Sequence, residues 1–143
     1  MMLDIVTWTE PGDVPVMVIR PRGLLNAETV EVLEQKARWA VAQHARCLVL
    51  DFSDLVYISS AGLRVIIYLF HALRTDAPED SDAALRDGLR AGTYRSPHLK
   101  LARPQPRVRE VLKLAGLPQF LEIHDTLADA IASFGGRPTQ TAV

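Results

Sequence analysis

Between residues 48 and 74, an apolar strand, a Ser-Ser-Ala-Gly turn and an apolar helix follow one another without a break. The run at 47–52 is short and apolar apart from Asp51 near its end, which is typical of a strand covered on both faces. From Leu63 onward the apolar residues recur at helical spacing, so the strand leads through the turn into a helix. A strand that needs cover on both faces and is followed by a helix predicts a layered α/β fold.

Strand and helix patterns alternate along the rest of the chain. Segments 3–8 and 14–19 are rich in β-branched residues and flank a turn, which predicts an opening hairpin. Further on, we expect a helix over 27–44 with Asn26 as its N-cap, a strand at 99–102, a helix from Pro106 to Gly116, a strand at 120–123 and a last helix capped by Asp125 or Thr126. These elements predict an α/β fold: a single domain with a mixed sheet of four to five strands and about four helices packed on it.

The segment 75–97 differs in composition from its surroundings. It is rich in charged residues and has few large apolar side chains, so we expect a surface insertion. Within it, Leu85 and Leu89 are spaced for a short helix. The domain is predicted to span 1–135, including this insertion, and 136–143 is predicted to be a flexible tail.

Charge and cysteine content narrow the functional classes. The 143 residues include 16 basic and 17 acidic side chains and no basic stripe interleaved with aromatics, so we expect no nucleic-acid binding. The single cysteine, Cys47, excludes an internal disulfide bond. The most apolar run, 65–73, is shorter than the roughly 20 residues that cross a bilayer, and the first residues lack the features of a secretory signal. We therefore expect a soluble, cytoplasmic protein that does not bind membranes.

No group of residues predicts catalysis. The four histidines, at positions 44, 71, 98 and 124, lack the spacing of metal ligands, and no glycine stands two residues before either serine of the turn. A glycine-rich phosphate loop with its lysine is also missing. Asp51 and Asp54 stand at a strand end, where carboxylates commonly make turn hydrogen bonds, so we favour a structural role for them. We predict a protein that is not an enzyme, without catalytic residues, cofactor or metal.

The turn at residues 58–62 places two hydroxyls, those of Ser59 and Ser60, at the mouth of a helix. Unpaired N–H groups and the helix dipole favour a hydroxyl or a phosphate there. Two interpretations remain open: the serines cap the helix, or one of them accepts a phosphate that changes the surface charge by about −1.5 to −2.

The helix that follows the turn is apolar on more than one side. Val65, Tyr68 and Leu69 make much of the face opposite its main apolar stripe hydrophobic. The helix is therefore either buried on most sides or offers one face to a partner.

Three blocks of sequence resemble one family. Residues 51–65, DFSDLVYISSAGLRV, are similar to the signature of STAS domains, the bacterial anti-sigma factor antagonists. GLLN at 23–26 resembles the family's entry to its first helix, and PRVREVLKLAGL at 106–117 resembles its late helix. The resemblance implies a non-enzymatic regulatory protein in a partner-switching circuit. It would bind an anti-sigma factor that has an ATPase-like serine kinase domain, phosphorylation by that kinase would end the binding, and a serine phosphatase could reverse the modification.

The same resemblance indicates which residues form the site. Aligned on Gly62, the position of the family's acceptor serine holds Ala61, so Ser60 is the first phosphoacceptor candidate and Ser59 is the second. The predicted partner-binding residues are Asn26, Ser59, Ser60, Ala61, Gly62, Arg64, Val65 and Tyr68.

The alanine at the acceptor position supports an alternative. The chain would then be a non-switching STAS subunit of a transport complex or of a stress-sensing scaffold. A third interpretation, a small hydrolase that uses Ser60, predicts labelling by a serine-directed covalent probe, which we do not expect. A homodimer is compatible with each of these interpretations.

Overall fold

The computed structural model describes residues 2–75 and 77–135 of the chain. The strands are β1 (Leu3–Glu10), β2 (Val16–Leu25), β3 (Leu48–Asp51), β4 (Leu55–Ile58), β5 (Leu99–Ala102) and β6 (Ile123–His124). The helices are α1 (Val30–Ala42), α2 (Ser60–Arg74), α3 (Asp82–Ala91), α4 (Pro106–Leu114) and α5 (Leu127–Gly135), with 3-10 turns at Pro78–Asp80 and Leu117–Gln119. The predicted tail, 136–143, lies outside the described residues. Within the described ranges no helix is long and apolar enough to span a membrane.

All of these strands belong to one mixed sheet. Its main path runs β1-β2-β3-β5-β6, and β4 pairs separately with β2. β1 and β2 are antiparallel, whereas the other pairs are parallel. This confirms the predicted α/β fold and mixed sheet. The described residues form six strands and five helices, more than the four to five strands and about four helices predicted, because β4 and α3 had not been counted.

β2 is longer than the strand predicted at 14–19, because it continues through Pro21 to Leu25. Residues 17–19 pair with β3, and residues 23–25 pair with β4. Pro21 falls between these two pairings, where its missing N–H removes no parallel ladder bond. Pro21 and Gly23, residue types that usually favour turns, therefore lie inside a strand.

β3 is covered on both faces of the sheet, as its short apolar run predicted. Its four residues are all buried, and neighbouring residues point to opposite faces. Leu48 and Leu50 belong to the larger core, which also contains residues of α1, α2 and α4. Val49 packs in a second cluster with Ala130 of α5.

Burial explains most of the apolar surface of α2. Val65 and Leu69, two of the residues on its second apolar side, are buried in the core. Tyr68 is only partly buried. One aromatic side chain of the helix thus remains available for contact with another molecule.

The predicted insertion carries α3, none of whose residues is buried. A buried cluster ties the insertion to the last turn of α2. The Tyr94 hydroxyl donates to the Asp80 carboxylate at 2.9 Å, and Arg74 Nε lies 3.4 Å from the same carboxylate. Burial and the hydrogen bond to Asp80 raise the pKa of the Tyr94 hydroxyl. The Tyr94 ring also packs edge-on against Phe70 in the core, at 6.1 Å between centroids.

The strand predicted at 120–123 is wrong in its extent. A 3-10 turn occupies Leu117–Gln119, and β6 contains only Ile123 and His124. Phe120 packs instead against Phe70, at 4.9 Å between ring centroids, so its apolar character reflects core packing. For α5, Thr126 is the capping residue of the two proposed, because its hydroxyl accepts the Asp129 N–H at 3.0 Å.

The side chain of Asp51 joins segments around the carboxyl end of β3. Its fully buried carboxylate accepts hydrogen bonds from Arg20 of β2 at 2.9 Å, from Arg103 beyond β5 at 2.7 Å and from the Ser53 N–H at 3.1 Å. Burial alone would raise the pKa of this carboxyl, but these hydrogen bonds outweigh it and hold the pKa below its ordinary value. Asp51 therefore has the structural role favoured from the sequence.

We expect Asp51→Asn to lower the free energy of unfolding by about 2 to 3 kcal/mol at pH 7, because two arginines lose their buried anionic partner. A carboxyl whose pKa is lowered by folding stabilises the protein at neutral pH, and this stabilisation is lost as the pH falls through the folded-state pKa. The difference between wild type and D51N should therefore narrow below about pH 4. Urea denaturation at several pH values measures both effects.

Asp54→Asn is the matched control. The Asp54 carboxylate is half-exposed and lies 3.6 Å from Arg22, so its removal should change the unfolding free energy by less than about 0.5 kcal/mol. Equal losses for D51N and D54N would contradict the role assigned to Asp51.

Candidate functional site

The serine turn, residues 58–62, connects β4 to α2 at the carboxyl end of the sheet. Ile58 pairs with Leu25 at the end of β2. The Ser59 N–H donates to the Leu25 carbonyl at 2.9 Å, and the Ser59 carbonyl accepts the Leu63 N–H at 3.0 Å. The turn is therefore fixed to β2 on one side and to the first turn of α2 on the other.

Asn26 follows Leu25 directly and so lies beside the serine turn. Its side-chain oxygen accepts the N–H groups of Glu28 at 2.9 Å and Thr29 at 3.1 Å, and its carbonyl accepts the Val30 N–H at 2.8 Å. The helix predicted over 27–44 begins only at Val30. Asn26 thus caps a turn ahead of α1, and its position as N-cap of that helix is corrected to Thr29.

The two serine hydroxyls have different environments. Ser60, the first residue of α2, is exposed. Ser59 occupies the N-cap position, but its Oγ is buried and has no hydrogen-bond partner within the described part of the chain. The capping interpretation is therefore wrong for the side chain of Ser59. Among the described residues, no histidine makes a hydrogen bond with either serine.

Ala61 and Gly62, in the first turn of α2, are buried. A Cβ placed on Gly62 would lie 2.7 Å from side-chain carbons of Leu25 and 2.8 Å from Ile58. Such a separation is closer than van der Waals contact allows, so α2 packs against the ends of β2 and β4 only because residue 62 has no side chain.

A groove of about 330 Å³ lies between α1 and α2. On the α1 side, Glu34 pairs with Arg38 at 2.9 Å, and the Arg38 guanidinium lies 5.3 Å from the centroid of the Tyr68 ring. Arg64 is exposed and makes no ion pair or hydrogen bond with any other described side chain. The groove is lined by Val30, Glu34, Ala61, Arg64, Val65 and Tyr68.

The structure brings most of the predicted site residues to one side of the molecule. Ala61, Arg64, Val65 and Tyr68 line the groove, and Ser60 stands exposed at the start of the same helix. The other three predicted residues are Asn26, which lies at the neighbouring turn, and Ser59 and Gly62, which contribute buried atoms.

Two exposed residues near the turn were missed from the sequence. Val56 and Tyr57 of β4 expose 47% and 46% of their surface. The pairing of β2 with β4 shifts between Gly23 and Leu24, and Val56 has no partner across the pair. In the sequence, this four-residue apolar run has no alternation that would distinguish its exposed residues from its buried ones.

Metal ligation finds no support in the described ranges, where no group of three or more His, Cys, Asp or Glu side chains is placed to hold an ion.

Comparison with known proteins gives consistent results. The family model described as the STAS domain matches residues 7–77. BtrV of Bordetella bronchiseptica, provisionally named an anti-sigma factor antagonist, is 30% identical over 113 residues, which cover 79% of this chain and 81% of that protein.

The fold is shared with solved structures of lower identity. An anti-sigma factor antagonist from Mycobacterium paratuberculosis superposes with a TM-score of 0.69 at 23% identity, covering 92% of this chain and 95% of its own. The anti-sigma factor antagonist SpoIIAA in its unphosphorylated form gives a TM-score of 0.66 at 22% identity, covering 92% and 98%. The phosphorylated form of SpoIIAA, from Bacillus, gives a TM-score of 0.56 at 22% identity, covering 90% and 98%.

We expect Ser59→Ala to leave the unfolding free energy unchanged or to raise it slightly, because the substitution removes a buried hydroxyl that has no partner. An ordinary N-cap serine stabilises its helix by about 1 kcal/mol. Ser81→Ala is the matched control, since the Ser81 hydroxyl caps α3 by accepting the Ala84 N–H at 3.1 Å. Thermal and urea denaturation measure the change in unfolding free energy in each variant, so that the contributions of the two serine hydroxyls can be compared. A loss of about 1 kcal/mol in S59A would show that the Ser59 hydroxyl does cap α2.

Proposed function

Because the chain belongs to the STAS domain family of anti-sigma factor antagonists, we propose that it binds an anti-sigma factor with an ATPase-like serine kinase domain. The observation that carries the proposal is the exposed position of Ser60, next in the sequence to Ala61, which lines the groove between α1 and α2. In this proposal the protein acts in the cytoplasm as a non-enzymatic regulator, and its binding releases a sigma factor from the anti-sigma factor.

The binding surface that we propose, called here the recognition surface, consists of Asn26, Val56, Tyr57, Ser60, Arg64 and Tyr68. It combines half-exposed apolar and aromatic side chains with an unpaired arginine. Aromatic and arginine side chains commonly supply much of the binding energy of protein interfaces, and a groove beside them accepts a side chain of the partner. The burial of Val65 within the groove gives this surface a rigid floor.

The proposal includes control of binding by phosphorylation, and the exposure of Ser60 supports it. The Ser60 Oγ would attack the γ-phosphorus of ATP held by the kinase. An O–P bond forms, the bond from the γ-phosphorus to the leaving ADP oxygen breaks, and the hydroxyl proton passes to a base of the kinase. The product carries about −1.5 to −2 charge on the recognition surface, which disfavours an apolar or acidic partner surface. A serine phosphatase would restore binding by hydrolysis.

Ser60 is favoured over Ser59 because a kinase must reach the hydroxyl. The Ser59 Oγ is buried behind the turn, whereas Ser60 is exposed. That SpoIIAA has been solved in both unphosphorylated and phosphorylated forms supports the idea that this fold accommodates a phosphate.

A second candidate function rests on Ala61. This residue is buried and has no hydroxyl at the position where the family's acceptor stands. A chain that is not phosphorylated would be a constitutive STAS subunit of a transport complex or of a stress-sensing scaffold. It would use the same recognition surface without a switch.

We expect Ser60→Ala to abolish phosphate incorporation and Ser59→Ala to retain it. Wild type and both variants are incubated with ATP and the anti-sigma kinase recovered by affinity purification of the tagged full-length chain. Intact mass and peptide mapping then count and locate the phosphate. Because S59A is expected to fold normally, it serves as the control for loss of a serine from the turn.

The partner class distinguishes the two candidate functions. Recovery of a histidine-kinase-like ATPase and a phosphate on Ser60 support the first function. Recovery of a transporter ATPase, with no phosphate on either serine, supports the second and rules out the switch. Phosphate incorporation that persists in S60A contradicts the choice of acceptor.

A further inference from the structure

Arg64 is an unpaired cation in a groove whose other charges are paired. Glu34 is the acidic residue lining the groove, and Arg38 holds its carboxylate at 2.9 Å. The Arg38 guanidinium in turn lies over the Tyr68 ring at 5.3 Å. Arg64 is exposed and has no such partner among the described side chains. Its charge is thus available to an anion that is not part of the folded chain.

Ser60 and Arg64 lie one helical turn apart on α2. Residues at i and i+4 of a helix are neighbours on one face, and long side chains lean towards the helix N-terminus. Arg64 is therefore spaced so that its side chain can reach the turn that carries Ser60. An anion at i with a cation at i+4 is the favourable order for an intrahelical ion pair. The first turn of α2 contains no acidic side chain that would compete for the arginine.

We propose that a phosphate on Ser60 is held by Arg64 of the same helix, and that this pair withdraws Arg64 from an acidic group of the partner. The inference rests on the proposed function for the phosphate and the partner. It explains how phosphorylation releases the chain from the anti-sigma factor. Without phosphate, Arg64 reaches across the groove to a carboxylate of the anti-sigma factor. With phosphate, the guanidinium donates to phosphate oxygens, and the partner's carboxylate faces an anion.

The sequestered arginine distinguishes this mechanism from simple repulsion. If the phosphate only repelled the partner, its effect would be the same whether or not Arg64 were present. If the phosphate also removes a binding contact, the effect of phosphorylation is smaller once Arg64 has been replaced. Arg64 is then a positioning residue for the phosphate as well as a contact residue for the partner.

The first experiment tests the intrahelical pair without any partner. Phosphoserine is incorporated at position 60 of the full-length chain during translation, and ³¹P NMR follows its second ionisation. If Arg64 binds the dianion, the second pKa of the phosphoserine should be about 0.3 lower in the chain with Arg64 than in the Arg64→Gln variant. The difference should shrink in 1 M NaCl. Arg64→Lys should give an intermediate value, because a lysine retains the charge but not the paired donors.

Arg86→Gln is the control for loss of one positive charge. Arg86 is exposed on α3, outside the recognition surface, and pairs with no described residue. In the R86Q variant, the phosphoserine at position 60 should have the same second pKa as in the phosphorylated chain without a substitution. Identical titration curves for the phosphorylated R64Q variant and the phosphorylated chain that retains Arg64 would overturn the intrahelical pair.

The second experiment measures release. Dissociation constants for the recovered anti-sigma kinase are compared in four proteins: wild type and R64Q, each with serine or phosphoserine at position 60. We expect R64Q to weaken binding of the unphosphorylated chain about 5-fold or more, and phosphorylation to weaken binding several-fold less in R64Q than in the chain that retains Arg64. Equal effects of phosphorylation in both backgrounds overturn the release mechanism.

The two experiments separate the inference from the proposed function. If no anti-sigma kinase binds the chain, the proposed function fails, and the phosphoserine titration still decides whether Arg64 holds the phosphate. If the kinase binds and phosphorylates Ser60 but the titration does not depend on Arg64, the function stands and the inference is overturned.

Discussion

The forked pairing of β2 is the constraint on which the remaining structure depends. Its first half pairs with β3 and its second half with β4, and Pro21 occupies the gap between the two partners. The chain leaves β3 at Asp51 and returns as β4 at Leu55 beside the outer half of β2. The buried Asp51 carboxylate holds the branch point through Arg20 and Arg103. Because β4 ends against Leu25, the serine turn must lie at the end of β2, next to the turn that leads into α1.

Much of this fold could be predicted from local patterns, for physical reasons that particular elements illustrate. β3 is buried on both faces, so its apolar residues do not alternate with polar ones, and α2 has a clear apolar stripe at helical spacing. β4 could not be recognised because two of its four apolar residues face solvent after a register shift. The strand predicted at 14–19 was also too short, since Pro and Gly favour turns and the sequence does not show that Pro21 lies between two pairing partners. In β4 and in the second half of β2, strand pairing in the folded sheet therefore outweighed the local sequence preferences.

The sequence indicated which residues lie near the candidate site, but not the environments of their side chains. Family resemblance indicated the residues of the turn and of α2, and the structure places most of them around one groove. The difference between Ser59 and Ser60 could not be inferred, because both precede the same glycine and differ only in what surrounds their hydroxyls. Gly62 likewise could be recognised as a turn residue but not as a packing requirement, because its close approach to Leu25 and Ile58 depends on tertiary structure.

The attachment of α3 to the far end of α2 has a consequence for how the molecule can vary. Tyr94 and Asp80 hold the inserted segment at the last turn of α2, whereas Ser60 is the first residue of that helix. Fifteen residues of helix separate these points by roughly 22 Å, and lengthening a surface loop costs little closure entropy. Extra sequence, a fluorophore or a tether to another domain can thus be placed at the exposed Gly92, where the chain leaves α3, rather than beside the groove. The insertion is thus an attachment site through which such a protein can be linked to a new domain or location while its partner surface stays the same.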